Sequence, residues 1–348
     1  MSVDGKKTAI YGAGAMGTVL GAFLTLGGVD VHLISRNEAH VKGLREKGAT
    51  IDCRADGKKL TVPVKALFPE EMTEKYDVIF LMTKQRENAS TVRFLRQYLT
   101  DGGIICTTQN GLPEQAVATV LGKEHTYGGV ASWGATFVGG GEMQLTSRLD
   151  AMSVTVGGYE NDNAKTPMLA EILSTVCRVS GNENFVTTTD NLAGARWAKL
   201  ALNAAFSGLS VVTGLTFGEI AKQRKTKKIA LNLILETYAV ATASGVRTEK
   251  IQGHDLQKLL GGRGALRRAF ALSILPLTMK KHKRLVSGML KDVQNGKKCE
   301  IDFIDGVVCR VGKEYGVPTP NAEKVVEIVH GIENGLYEIT PDNVDFFD

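Results

Sequence analysis

The sequence lacks the residue pairings that mark a metalloprotein or a disulfide-stapled, exported fold. Its five cysteines (Cys53, Cys106, Cys177, Cys299 and Cys309) are odd in number, scattered, and make no Cys-x-x-Cys pair. A disulfide framework is therefore not expected, and a reducing cytoplasm fits best. The six histidines are dispersed without metal-ligand spacing, so no metal is expected. No apolar run reaches membrane-spanning length. Met1 to Lys7 are polar and lead straight into a strand pattern, which predicts no signal peptide. Positive charge is slight, a net +5. Its densest cluster, KQRKTKK at Lys222–Lys228, is not interleaved with aromatic residues, which argues against nucleic acid. Internal repeats are absent too. What remains is 348 residues with 43% hydrophobic and 23% charged content, the composition of a globular protein with chain enough for two domains.

The glycines that are present are patterned. The stretch TAIYGAGAMGTVLGAFLTLGGVDVHLISRN sets Gly12, Gly14 and Gly17 at the spacing G-x-G-x-x-G. With 39 glycines in the chain, the spacing alone says little, and its surroundings say more. Thr8–Tyr11 is short, apolar and partly β-branched, as a buried strand is. Met16–Leu26 is apolar with small residues, as a helix packed on a sheet is, and Gly27-Gly28 stops it. Val29–Ile34 reads as a second strand. This is a βαβ unit of about thirty residues, the setting in which the fingerprint holds a dinucleotide. Gly12, Ala13, Gly14, Ala15, Met16 and Gly17 are then the expected pyrophosphate contacts, at the N-terminus of a helix. Ser35-Arg36-Asn37 follow the second strand, with no carboxylate to hold a ribose 2′-hydroxyl. Arg36 offers a planar donor fork for a 2′-phosphate, so NADP(H) is the expected cofactor. The alternative is an ordinary solvated loop arginine.

Strand-like and helical runs alternate onward. TIDCRA and KLTVPVKAL suggest a hairpin around Asp56-Gly57. YDVIFLMTK reads as a buried strand ending at Lys84, followed by a helix over Glu87–Leu99 and a strand, GIICTTQNG, from Gly103. Thr126–Trp133, Glu142–Leu145 and Met152–Val156 read as strands, with a hairpin turn at Gly139–Gly141. Near 180–190 the texture becomes helical: Asn191–Val212, Thr226–Ser244, Asp255–Leu260, and Ile301–Tyr315 onward. The expected architecture is an α/β doubly wound, Rossmann-type domain over residues 1–186, an all-helical domain over 187–335, and a loosely packed acidic tail over 336–348.

Ligands of doubly wound sheets bind beyond the carboxyl ends of the strands. Two such ends besides the glycine turn are polar: Lys84 in MTKQRE, and Asn110-Gly111 in TTQNGLPE. A snorkelling surface lysine is the plainer reading of Lys84. In ARWAKLALNAAFSGLSVVTG, Lys199, Asn203 and Ser207 recur every fourth residue among apolar or small neighbours. At about 100° per residue they share one helix face. A lysine in a helix this apolar needs partners or a ligand, and this stripe is expected to face the nicotinamide. The alternative is a structural polar seam between helices. Glu300 stands ahead of Ile301–Val311, where a helix N-terminus would favour it.

These motifs, in this order, resemble the ketopantoate reductase (2-dehydropantoate 2-reductase) family from Thr8 to about Val329. They are YGAGAMG, Arg36, MTKQ, QNG at Gln109–Gly111, WAKLALNAAFSGLSVVTG, and MLKDVQNGKKCEIDFIDG with GVPTP at Gly316–Pro320. The resemblance implies a Rossmann-type domain joined to a helical domain like the C-terminal domain of 6-phosphogluconate dehydrogenase, with NADPH in the cleft between them. The implied reaction reduces ketopantoate to pantoate in pantothenate biosynthesis. Lys199 matches the catalytic lysine that protonates the developing alkoxide, and Asn203 the substrate-binding asparagine. Asn110 and Lys84 match polar residues on the nicotinamide side, Glu300 the glutamate of the cofactor–substrate region, and Arg36 the 2′-phosphate binder. The resemblance also admits a homodimer. Two positions depart from the family pattern. Ser207 replaces a second asparagine, and Gly288 replaces the serine before Met289-Leu290, with Ser287 one place earlier. Both family positions contact substrate, so another 2-oxo acid, branched or aromatic, is the alternative. The β-hydroxyacid dehydrogenases share a Lys-x-x-x-Asn helix but fit EIDFIDG and the MTK/QNG pair less well. A nucleotide-binding redox sensor without turnover would have no use for Lys199, Asn203 and Glu300.

Overall fold

The computed structural model describes residues 5–251, 253–262 and 264–347. Met1–Asp4 of the polar N-terminus and Asp348 of the acidic tail lie outside the described residues. By its contacts the chain divides into two units. One runs to Gln109 and takes in Pro113–Leu192; the other takes Asn110–Leu112 and the chain from Ala193. The sequence-based division at 186–187 would cut the strand Val186–Thr188, which pairs with the sheet of the first unit.

Among the described residues the first unit holds twelve strands: β1 (Lys7–Tyr11), β2 (Asp30–Ile34), β3 (Ala49–Cys53), β4 (Lys58–Val62), β5 (Lys65–Leu67), β6 (Tyr76–Leu81), β7 (Leu99–Thr107), β8 (Thr126–Ala131), β9 (Ala135–Gly139), β10 (Glu142–Leu145), β11 (Val154–Gly158) and β12 (Val186–Thr188). The larger sheet has the order β12-β11-β8-β7-β6-β1-β2-β5. All its neighbours are parallel except β8 and β11. From β1 the chain first builds outward through β2 and β5, then returns to the other side through β6, β7 and β8. That reversal makes a switch point beside β1, where doubly wound sheets take their ligands. The central strands are covered on both faces, which explains continuous apolar runs such as Val78–Leu81, all buried.

The smaller sheet, β4-β3-β10-β9, is assembled from two insertions into this winding. As expected, β3 and β4 form a hairpin, closed by Gly57 in the left-handed region (φ +64°), and the glycine triplet 139–141 turns β9 into β10. The helix Ala15–Leu26 packs against strands of both sheets. This is why it is buried without a break from Gly17 to Leu24. Several boundaries differ from the sequence expectation, three of them near the first unit's strand ends. KLTVPVKAL is two strands, because Pro63 cannot donate to a ladder, and Lys65–Leu67 joins β2 instead. β6 ends at Leu81, short of Lys84. The helix after it is Asn88–Arg96, and Leu99 already belongs to β7.

The second unit is helical. Its first helix, Leu192–Asn203, passes through a π turn at Ala204–Gly208 into Leu209–Thr213. The helices Arg224–Ala243 and Pro320–Glu333 pack against that turn. Leu200, Ala204, Phe206, Leu233, Ile234 and Val325 form the middle of the core, each at most 1% exposed. The tail is not loose, as the sequence suggested. Asn343 is buried and donates its amide to the carbonyls of Val212 and Glu338, both at 2.8 Å, and Val344 joins the core. No helix of the described residues is long and apolar enough to cross a membrane.

Candidate active site

The glycine turn follows β1, and each glycine has its own reason to be there. Gly12 sits at φ +96°, and a Cβ there would lie 2.5 Å from the Thr83 nitrogen. A Cβ on Gly17 would lie 2.8 Å from the Gly12 carbonyl oxygen and 2.9 Å from Ile10 Cγ2. Both are steric requirements of the fold. Gly14 differs: its Cβ direction meets nothing nearer than 4.0 Å. Packing does not demand a glycine at that position, and its bareness leaves room for close approach by a ligand. Gly12 and Ala13 both donate to the Ile34 carbonyl (3.1 and 2.9 Å), tying the turn to β2. The helix from Ala15 opens with neither a capping side chain nor an acid in its first turn. Its N–H groups suit a phosphate there.

A hydrogen-bond relay not anticipated from the sequence holds this turn from behind. The Gly141 N–H donates to His40 Nδ1 at 3.1 Å, so Nδ1 must be an acceptor. The neutral ring then carries its proton on Nε2, which donates to Thr18 Oγ1 at 2.9 Å. The Thr18 hydroxyl in turn donates to the Ala13 carbonyl at 3.3 Å. Burial holds the His40 pKa below its usual value, against the pull of the Ala13 carbonyl, and keeps the ring neutral.

At the end of β2, Asn37 caps the next helix, its side chain accepting from His40 N at 3.0 Å. Arg36 is exposed and makes one long contact, 3.5 Å, to the equally solvated Glu87. Such a pair contributes little and yields readily to a stronger anion. Lys84 is exposed beyond β6. Beyond β7, Gln109 clamps the two strand ends together. Its amide donates to the Thr83 carbonyl (2.8 Å) and Asn88 Oδ1 (2.7 Å), and its oxygen accepts from Asn88 and Thr107. Thr83 Oγ1 and Thr108 Oγ1, just past β6 and β7, are buried with no hydrogen-bond partner among the described residues. Orphaned hydroxyls at these strand ends, with the cleared space at Gly14, fit a bound dinucleotide. The sequence reading passed over both threonines, although MTKQ and TTQ, at the carboxyl ends of two strands, were their signals.

In the second unit, Lys199 and Asn203 lie on the helix Leu192–Asn203, and Ser207 lies in the π turn. All three are half-buried, while Leu200, Ala201, Ala204, Ala205 and Phe206 are buried. The sequence reading assumed an unbroken α-helix. A π turn rotates fewer degrees per residue, so it brings Ser207 back toward the line of Lys199 and Asn203. Burial, with a further push from the neighbouring Arg196 charge, takes the Lys199 pKa down to about 7. Asn110 is exposed and falls with this unit by its contacts. Ser287 is buried and caps the helix Gly288–Gln294, its Oγ accepting from Met289 N at 3.1 Å, while its own N–H donates to Ser210 Oγ. The space around a Cβ at Gly288 is empty. Glu300 is half-buried at the start of the short turn Ile301–Phe303. No cluster of residues suited to a metal occurs among the described residues.

Residues 8–160 match the family described as Ketopantoate reductase PanE/ApbA, and residues 191–333 match Ketopantoate reductase PanE/ApbA C terminal. The 2-dehydropantoate 2-reductase of Archaeoglobus fulgidus is 24% identical, covering 95% of this chain and 99% of its own. That of Lactococcus lactis subsp. lactis is 26% identical, with the same coverage of 95% and 99%. A ternary structure of D-mandelate dehydrogenase with NADH and anilino(oxo)acetate superposes with a TM-score of 0.79 at 25% identity, covering 95% of this chain and 99% of that one. Two models of one family, met in the same order and parting where the chain turns from sheet to helix, show that it belongs to the ketopantoate reductase family, the NAD(P)H-dependent oxidoreductases that act on a CH–OH donor.

Proposed function

We propose that the protein reduces a 2-oxo acid to its 2-hydroxy acid with NADPH, ketopantoate being the first candidate substrate. The observation that carries this reading is Lys199, half-buried on an apolar helix and drawn down to about 7. An amine at that value gives and takes a proton readily near neutrality. When bound, the reduced nicotinamide supplies a hydride to the keto carbon. The carbonyl π electrons then move onto oxygen, and the Lys199 ammonium stabilises that charge and transfers one proton to it from Nζ. The sum is 2-oxo acid, NADPH and a proton going to 2-hydroxy acid and NADP⁺. Asn203, one turn along, orients the substrate. Arg36 receives the 2′-phosphate, and residues 12–17 receive the pyrophosphate. Lys84, Asn110 and Glu300 are assigned to the nicotinamide and substrate region.

A second reading, reduction of a branched or aromatic 2-oxo acid, is favoured by the small Ser207, by the empty space at Gly288 and by the likeness to D-mandelate dehydrogenase. Removing polar contacts and adding room weakens discrimination, since an apolar group tells on specificity by only about 1–3 kcal/mol. The test is kcat/KM for ketopantoate, 2-oxoisovalerate and phenylglyoxylate, each with NADPH and NADH. A preference for ketopantoate of about a thousandfold or more would remove the second reading. Turnover of none of the three would remove both.

A further inference from the structure

Asp305 is the one acid among the described residues that is wholly buried (0% exposed) with both side-chain oxygens unpaired. It opens the helix Asp305–Glu314 and presses on the π turn. A Cβ on Gly208 would lie 2.7 Å from Asp305 Oδ2 and 2.6 Å from Val325 Cγ1. Gly208 is thus bare because the carboxyl group occupies the space beside it. The same π turn carries Ser207 and follows directly on Asn203. We propose that Asp305 is a positioning residue, which props the turn Ala204–Gly208 and so sets Asn203 and Ser207 relative to Lys199. The proposal rests on the reading of Lys199 and Asn203 given above.

The carboxyl group can do this only as the neutral acid, because an unpaired buried carboxylate would be driven toward water. Its surroundings agree. Burial raises its pKa well above the ordinary carboxylate range; its own backbone N–H, which lies near the carboxyl group without making a hydrogen bond to it, opposes this, and the Glu236 charge adds to it. The charge acting on it directly is itself that of an acid. Glu236, from the helix Arg224–Ala243, is half-buried and accepts from the N–H groups of Asn321 and Ala322. Glu323, from the helix Pro320–Glu333, accepts from the Thr319 hydroxyl. On the same helix Lys324 and Glu327 pair with each other, and His330 pairs with Asp302 of the preceding turn at 3.0 Å. Along Asp305's own helix lie the half-buried Cys309 and the exposed Arg310.

The test compares wild type, Asp305→Asn and Asp305→Ala in thermal melting from pH 5 to 9 and in steady-state kinetics. A folded-state pKa above the unfolded one means that this group's stabilisation is whole below the ordinary carboxylate range and is lost as pH rises. The wild-type Tm should therefore fall with rising pH relative to that of Asp305→Asn, which stays neutral. Asp305→Asn should keep kcat/KM within about threefold at pH 6. Asp305→Ala should raise the substrate KM about tenfold or more while leaving NADPH affinity unchanged. Parallel melting curves for wild type and Asp305→Asn would overturn the proposal, as would an unaltered substrate KM in Asp305→Ala. If the alanine variant does not fold, the asparagine comparison decides alone. The melting curves need no substrate, so a failure of the proposed reaction is seen separately.

Discussion

The depressed Lys199 pKa makes the direction of reaction depend on pH in opposite senses. With a value of about 7, about nine-tenths of Lys199 is cationic at pH 6, half at pH 7, about a tenth at pH 8 and about a hundredth at pH 9. Reduction needs the cation as proton donor, so kcat/KM for the 2-oxo acid should be flat to near pH 7 and then fall about tenfold per pH unit. Oxidation of the 2-hydroxy acid needs the free amine as base, and its kcat/KM should climb through the same midpoint and level off above it. Both limbs are read from reduced-nicotinamide absorbance in buffers of constant ionic strength. Because kcat/KM reports the enzyme before the varied substrate binds, the midpoint belongs to the site free of the acid substrate. Lys199→Ala should lower kcat by at least about a hundredfold, the scale of a lost general acid, with NADPH binding intact. The lysine also lowers stability. The unfolded chain binds the extra proton up to the ordinary value of 10.5 while the folded one releases it near 7. Stability therefore rises with pH across that window, and Lys199→Met should raise the Tm at and below neutrality. Reduction that is level from pH 6 to 9, or a Lys199→Ala enzyme with more than half its turnover, would refute the reasoning.

The glycines of the turn should separate by function. Gly12→Ala meets both left-handed strain and the Thr83 backbone and should cost several kcal/mol. Gly14→Ala should leave the Tm nearly unchanged while weakening cofactor affinity, and equal damage to both properties would contradict the division. Arg36→Ala should raise the KM for NADPH well above that for NADH; a wild type that uses the two equally would sink the assignment. For His40, the pKa below the unfolded value means that stabilisation is present above pH about 6.5 and is lost as the ring protonates below it. The difference in Tm between wild type and His40→Leu should therefore shrink on acidification, with the relay worth about 1–3 kcal/mol at neutral pH. A constant difference down to pH 4.5 would show that the ring does not titrate against Gly141.

Much of this protein could be read along the chain because the evidence was local. Gly17 is dictated within one βαβ unit, where turn, strand and helix are contiguous, and Gly12 by its positive φ there, with the Thr83 backbone a second constraint from a distant strand; the hairpin at Gly57 and the glycine triplet are likewise local. The apolar run Val78–Leu81 announced a strand covered on both faces, and the Lys199–Asn203 spacing announced a shared face. Helices whose exposed faces blur the pattern, such as Thr166–Ser180 and Ala265–Thr278, were not legible in the same way. Other features were set only by residues distant in sequence. His40 and Thr18 became supports of the glycine turn because Gly141, from the second insertion, came to lie behind them. Thr83 and Thr108 became a pair because β6 and β7 end side by side. No local periodicity encodes a π turn, and this one exists against Asp305, about a hundred residues onward. The amino-acid order determined which elements form and which chemical groups they carry. Tertiary packing alone decided the desolvation that draws Lys199 to about 7 and pushes Asp305 well above the ordinary carboxylate range, because burial is a property of everything that surrounds a side chain.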